Sequence, residues 1–442
     1  MRIVGLLSVT LTSLFIGALV GRNSIRSGRY FLNALIGTSA FGASMYGGFT
    51  WYDETFLFGF FAFMLFRQIK FPIKDLIKKQ KVYFVFLVYF LIEFFNGIIF
   101  FHNNNDDILR KFRWLVFVFF LLLVATLGNL DKTRNFGITK THLWVIIFFL
   151  TLYLSSNYLA LRDTGSAANA QYAQVPARGF IDAVWANSAY VTLSIFIFMY
   201  IGLIGLIQKS SKMTVTLSKS ILFMSSLIFG LTLSRSGFFL AFLLLGAFLI
   251  SQKGWKNLAN SILLFSLIIV PMMFGLNASG NGNLQGFRSD IVATTLVPFD
   301  QDRATGRESD RIEQYSELSY LAKSLDLESE NLALWHRLFG YGLRTSGLAL
   351  AIANKEPDQS KFSMSFAPSI PIEFGLIGVV LFLSIIFVGI QNLLRSRSKD
   401  KLLVLALTLG AVLTTTVVNN FDYIPLYMVI TGSTYLTRTA YN

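Results

Sequence analysis

Apolar residues in this chain come in runs of near-spanning length, separated by short polar stretches. The runs begin at Val4, Tyr30, Thr55, Val82, Phe112, Leu143, Ser188, Leu217, Gly237, Leu258, Ile370, Leu402 and Ile424. A bilayer's hydrocarbon core is about 30 Å thick, and about 20 helical residues cross it. Backbone amides in lipid need partners within their own segment, so such runs predict helices. The runs at Thr55 and Ile424 are short. The pattern therefore predicts an all-α, polytopic membrane protein of twelve or thirteen transmembrane helices. Val4 to Val20 has the length of a signal peptide, but Gly21-Arg22-Asn23 follows it in place of a small-residue cleavage pattern, so it reads as a retained first helix.

Charge orients the runs. Alternate connections carry Arg22, Arg26 and Arg29; Arg67, Lys70, Lys74, Lys78, Lys79 and Lys81; Lys132, Arg134 and Lys140; Lys209 and Lys212; Lys253 and Lys256; and Arg395, Arg397, Lys399 and Lys401. The intervening short connections hold only Arg110, Lys111, Arg162, Arg178 and Arg235. Cytoplasmic loops are the basic ones, so the first set is expected inside. The long polar segment from about Asn277 to Phe366 then falls outside.

That segment divides the chain into residues 1–276, carrying ten helices, an extracytoplasmic loop 277–366, and C-terminal helices in 367–442. Within the loop Ile312, Tyr315, Leu318, Leu321 and Leu325 recur near helical spacing, which predicts an amphipathic helix lying on the membrane domain. Asn331 to Phe339 predicts a second short helix, ended by Gly340-Tyr341-Gly342.

Composition agrees with lipid as the solvent: 54% of residues are hydrophobic, 14% are charged and 45 are Phe. With no Cys, disulfides and thiolate chemistry are excluded. Three His with no neighbouring carboxylate cluster give no expected metal site. No cofactor is expected. The net charge of +14 would suggest nucleic acid in a soluble chain, but here the excess sits in the short loops that topology makes basic, so no nucleic-acid partner is expected.

A few polar residues stand out. Arg235 interrupts the apolar stretch from Leu217 to Ile250, at the expected outer boundary. A guanidinium cannot shed its proton there, and its planar donor fork suits phosphate oxygens; a hairpin turn that snorkels its Arg is the plainer reading. Glu93 is an acid deep in an apolar run, with Asn96 almost one turn on. Such a carboxylate marks a functional site or pairs with an arginine such as Arg235. Arg110, Lys111 and Arg113 cluster near Asp106 and Asp107, which they balance. The outer loop offers Arg288, Arg303, Arg307, Arg311, Arg337 and Arg344, interspersed with acids, and sets Trp335, His336 and Tyr341 beside Gly340 and Gly342. Aromatic faces stack on sugars, arginines bind pyrophosphate, and a His accepts a proton near neutral pH. A solvated loop surface accounts for the same charges.

Four stretches, in their order, resemble the O-antigen ligase and polymerase superfamily, the Wzy-type polymerases and WaaL-type ligases. Leu231-Thr232-Leu233-Ser234-Arg235-Ser236-Gly237 looks like that family's step between two helices. Asp310-Arg311-Ile312-Glu313-Gln314-Tyr315 is similar to its Arg-x-x-x-Trp element, with Tyr315 in place of Trp. Leu338-Phe339-Gly340-Tyr341-Gly342-Leu343 resembles its glycine-rich turn, and Glu373-Phe374-Gly375-Leu376-Ile377-Gly378 its ExGxxG start of the helix after the loop. The likeness covers the C-terminal half of the chain. Ser363-Met364-Ser365-Phe366 departs from it, standing where family ligases carry a His-Asn pair, which favours the polymerases.

The resemblance implies a GT-C-like, metal-independent glycosyltransferase of the cytoplasmic (inner) membrane. Its donor would be a polyprenyl-pyrophosphate-linked oligosaccharide, and its partners membrane lipid, a chain-length regulator and a flippase. Arg235, Arg311, His336 and Glu373 are the implied catalytic residues, with Arg235 and Arg311 on the leaving pyrophosphate. Glu93, Arg288, Arg307, Trp335, Arg337, Tyr341 and Arg344 are expected to bind substrate. His336 and Glu373 are candidate bases, with Glu93 a third; Glu373 also suits capping of the returning helix. The alternatives are an O-antigen ligase, a protein O-oligosaccharyltransferase, or, in a different class, a lipid-linked oligosaccharide flippase.

Overall fold

Every apolar run that falls within the described residues is a helix. The computed structural model describes residues 2–42, 52–67, 81–100, 137–164, 188–208, 210–231, 235–251, 258–278, 330–342, 366–395, 400–415 and 424–436. In chain order these hold α1 (Arg2–Ser27), α2 (Tyr30–Gly42), α3 (Tyr52–Phe66), α4 (Lys81–Phe100), α5 (Lys140–Thr164), α6 (Ser188–Gln208) and α7 (Lys212–Leu231). They continue with α8 (Arg235–Ser251), α9 (Leu258–Ala278), α10 (Glu330–Phe339), α11 (Phe366–Arg395), α12 (Lys401–Thr414) and α13 (Ile424–Leu436). No strand occurs among the described residues. The run from Phe112 and the amphipathic stretch Ile312–Leu325 lie outside them.

Val191–Gln208 of α6, Lys212–Leu231 of α7 and Ile370–Arg395 of α11 are long and apolar enough to cross a membrane. Shorter apolar stretches are Phe84–Asn96 of α4, Lys140–Ser155 of α5, Gly237–Ser251 of α8, Leu263–Phe274 of α9 and Lys401–Thr414 of α12. The last helix before the polar segment runs to Ala278 and the first after it starts at Phe366.

Burial is inverted relative to a water-soluble bundle. On α4, Val85, Val88, Ile92 and Phe95 face outward, while Phe86, Tyr89, Phe90, Glu93 and Phe94 are buried. Beyond Lys81 in the first turn these outward residues are apolar, and the inward ones include the polar Tyr89 and Glu93. On α11, Leu376, Val380, Leu383 and Phe387 are likewise exposed. Such a surface in water would be a large uncovered apolar patch, and it is fitted to lipid. At the centre lies α2, buried along all 13 residues and packed by α1, α3, α5, α6 and α13. Two of its carbonyls are met by neighbours: Tyr153 Oη donates to Ala40 O at 2.8 Å and Ser194 Oγ to Ser39 O at 2.6 Å. α1 and α3 touch backbone to backbone where Gly17 meets Phe56 and Gly59 meets Leu14.

Three of the basic connections gather at one end of the bundle. The Thr139 side chain accepts from His142 N at 3.4 Å, while His142 Nδ1 accepts from Thr139 N at 3.2 Å. This is a capping box with His in the reaching position. Nδ1 is therefore an acceptor, so Nε2 carries the proton and donates to Asn33 Oδ1 at 2.7 Å. Asn33 Nδ2 passes the chain to Ser24 Oγ at 2.7 Å, and Ile138 N donates to Gln208 Oε1 at 3.0 Å.

Candidate functional site

The site begins with a break in α11. Pro371 has no amide hydrogen to give to the preceding turn. Gly375 then takes φ 59° and ψ −169°, a conformation that is essentially glycine's alone. Around the break, three successive carbonyls are met from outside the helix. Tyr341 N donates to Ile372 O at 2.9 Å, Gly342 N to Glu373 O at 3.1 Å, and Tyr89 Oη to Phe374 O at 2.6 Å. Each such buried carbonyl, left without a donor, would cost about 1–3 kcal/mol.

The partner of the break is the turn that ends α10. Gly340 N closes the helix on His336 O at 2.7 Å, and Gly340 and Gly342 have φ of 84° and 95°. The turn is buried at Gly340, Tyr341 and Gly342. Its carbonyl side is held too, because the Tyr89 hydroxyl lies 3.0 Å from Phe339 O. Tyr89 is the ninth residue of the 20-residue α4, so the turn reaches the middle of that helix. An amphipathic element resting on the surface is the simpler expectation for this polar loop; here its last turn is inserted. Irregular backbone among apolar helices is tolerated where protein encloses it.

Side chains follow from this frame. His336 is 9% exposed and stacks on Tyr341, with ring centroids 4.1 Å apart. Tyr341 thus turns inward, and its ring is not an open face. Trp335 and Arg337 point out; Trp335 is half exposed and stacks on Phe339 at 4.2 Å. Glu373 is buried at the break. Glu93 is fully buried one turn beyond Tyr89; its Oε2 accepts from Asn96 Nδ2 at 3.2 Å, and its Oε1 has no hydrogen-bond partner among the described residues. Phe90 packs on Phe374 at 5.4 Å between centroids, holding α4 against the break.

The structure therefore brings Glu93, His336, Tyr341 and Glu373 to one junction of three helices, with Trp335 and Arg337 on its outward side. Arg235 begins α8. Arg288, Arg307, Arg311 and Arg344 lie outside the described residues. Among those described, no group of His, Cys, Asp and Glu could hold a metal.

Sequence reasoning missed Tyr89, although Tyr89, Glu93 and Asn96 form one polar stripe at helical spacing. It also missed Asp53 and Glu54, both buried in the first turn of α3. Those two precede an apolar run and read there as a polar boundary. No family model, no curated protein and no solved structure matches this chain.

Proposed function

We propose that this chain is a multi-pass protein of the cytoplasmic membrane that polymerises surface-polysaccharide repeat units. It would transfer a glycan from a polyprenyl-pyrophosphate-linked donor to an acceptor sugar on the outer face. One observation carries the reading: the two glycine motifs of the resemblance, Phe339-Gly340-Tyr341-Gly342 and Glu373-Phe374-Gly375, are hydrogen-bonded to each other beside a buried carboxylate. A loop that only decorates the surface does not need that junction. The lipid-fitted faces of α4 and α11 support the membrane setting.

In this reaction an acceptor hydroxyl oxygen bonds to the donor's anomeric carbon. The bond from that carbon to pyrophosphate breaks, and polyprenyl pyrophosphate leaves with the electron pair. The hydroxyl proton passes to a base, for which His336, Glu373 and Glu93 are the candidates. Charge grows on the leaving group, and Arg235 and Arg311 are assigned to it. A well-aimed donor in a desolvated site contributes about 3 to 4 kcal/mol to such a transition state. Trp335 and Arg337 offer an aromatic face and a cation to the glycan.

Deleting the gene and sizing the surface glycan tests the reading. Single repeat units on the surface are the expected result. Long chains left unattached would indicate a ligase, and lipid-linked units accumulating inside the cell a flippase; either would overturn the polymerase.

A further inference from the structure

The Tyr89 side-chain hydroxyl bridges three separate elements of the junction: α4, the end of α10 and the break in α11. Its two acceptors lie 250 and 285 positions away in sequence. They are the carbonyls immediately before Gly340 and Gly375, which both take positive φ. One hydroxyl thus spans both conformational weak points. The ring beneath it is seated independently, since a Cβ on Gly378 would lie 3.3 Å from Tyr89 Cε1. Hydroxyl and ring have separable jobs: the ring packs the helices, and the hydroxyl pins the turn to the break.

From this geometry we infer that Tyr89 is a positioning residue for glycosyl transfer, its hydroxyl holding the His336-bearing turn and the Glu373-bearing break in fixed register one turn from Glu93. The role rests on the transferase reading above. The single proton of this hydroxyl is shared between two backbone carbonyls and is not offered to a substrate, so Tyr89 acts through the groups it holds. The candidate bases come from chain segments that no continuous helix connects. Their mutual placement needs a tie, and the tie is made by the buried face of α4.

The test uses Tyr89→Phe in the full-length protein, which keeps the ring and removes the hydrogen bond. Ile92→Val, on the outward face of α4, is the control. Hydrogen exchange of the Gly340–Gly342 amides reports the tie, and polymerisation of purified lipid-linked repeat units reports the reaction. Exchange is expected to rise about tenfold. Turnover at saturating donor is expected to fall by a similar factor with KM changed less than about twofold, and Ile92→Val should match the wild type. Unchanged exchange in Tyr89→Phe would overturn the tie. Faster exchange with unchanged turnover would overturn the positioning role. If the wild-type chain joins no repeat units, the transferase reading fails and this role fails with it, while the exchange result still decides the tie.

Discussion

Gly340 and Gly375 face each other across the junction, so closely that a Cβ on Gly375 would lie 2.6 Å from the Gly340 amide nitrogen. Both have positive φ, 84° and 59°. Steric room and backbone conformation therefore demand glycine at each position for separate reasons. Replacing Gly375 by Ala should cost at least about 1–3 kcal/mol from the backbone alone, with the overlap in addition. Thermal unfolding of purified Gly375→Ala should show a clear loss, and an unchanged midpoint would refute the close pairing.

Glu93 separates a need for charge from a need for shape. Glu93→Gln keeps the side chain's size and leaves an oxygen for Asn96. A buried carboxylate is costly to hold, so the variant should unfold at the same temperature as the wild type or higher. If the carboxylate serves the reaction, turnover should nevertheless fall about 100-fold. Full activity in Glu93→Gln would remove Glu93 from the chemistry.

Arg235→Ala and Arg311→Ala should each lower polymer formation about 100-fold or more, at normal abundance in the membrane. Arg235→Lys should recover little, because an ammonium lacks the planar donor fork. Chain-length analysis of the glycan reads both, and full activity in either alanine variant would strip that arginine of its assigned role.

His142 predicts an acid-sensitive end of the bundle. It sits in the first turn of α5, ahead of the apolar run that starts at Leu143. Burial, with the Arg29 guanidinium next to it, pulls its imidazole from the ordinary 6.5 down to about 4. The folded chain therefore keeps His142 neutral where the unfolded chain is already protonated. Its contribution is complete above about pH 6.5 and is lost as pH falls from there toward 4. Melting curves across that window should fall more steeply for the wild type than for His142→Gln. Parallel curves would refute the assignment.

The absence of cysteine makes sidedness directly measurable. Single cysteines at Trp335 and Arg26, both exposed, should react oppositely with a membrane-impermeant maleimide applied from outside. Trp335→Cys should label in intact cells and Arg26→Cys only after lysis. The reverse pattern would invert the proposed topology.

Helix positions were legible in the chain because a run of apolar residues and its basic flanks are local facts: lipid demands self-satisfied backbone, and nothing remote is needed to decide it. The same holds for α10, whose stop at Gly340-Tyr341-Gly342 was readable from the glycines, and for the prominence of Glu93. What the sequence could not carry is which backbone groups meet across hundreds of residues. Glu373 stands beside a break only because Gly375 leaves the helical conformation, and that break is tolerated only because Tyr341, Gly342 and Tyr89 supply donors to its carbonyls. Tyr341, an open aromatic face by its sequence, is turned inward on His336 by the same turn. Those outcomes belong to the tertiary structure, because a hydrogen bond between distant segments is decided by their packing and leaves no periodic trace along either one.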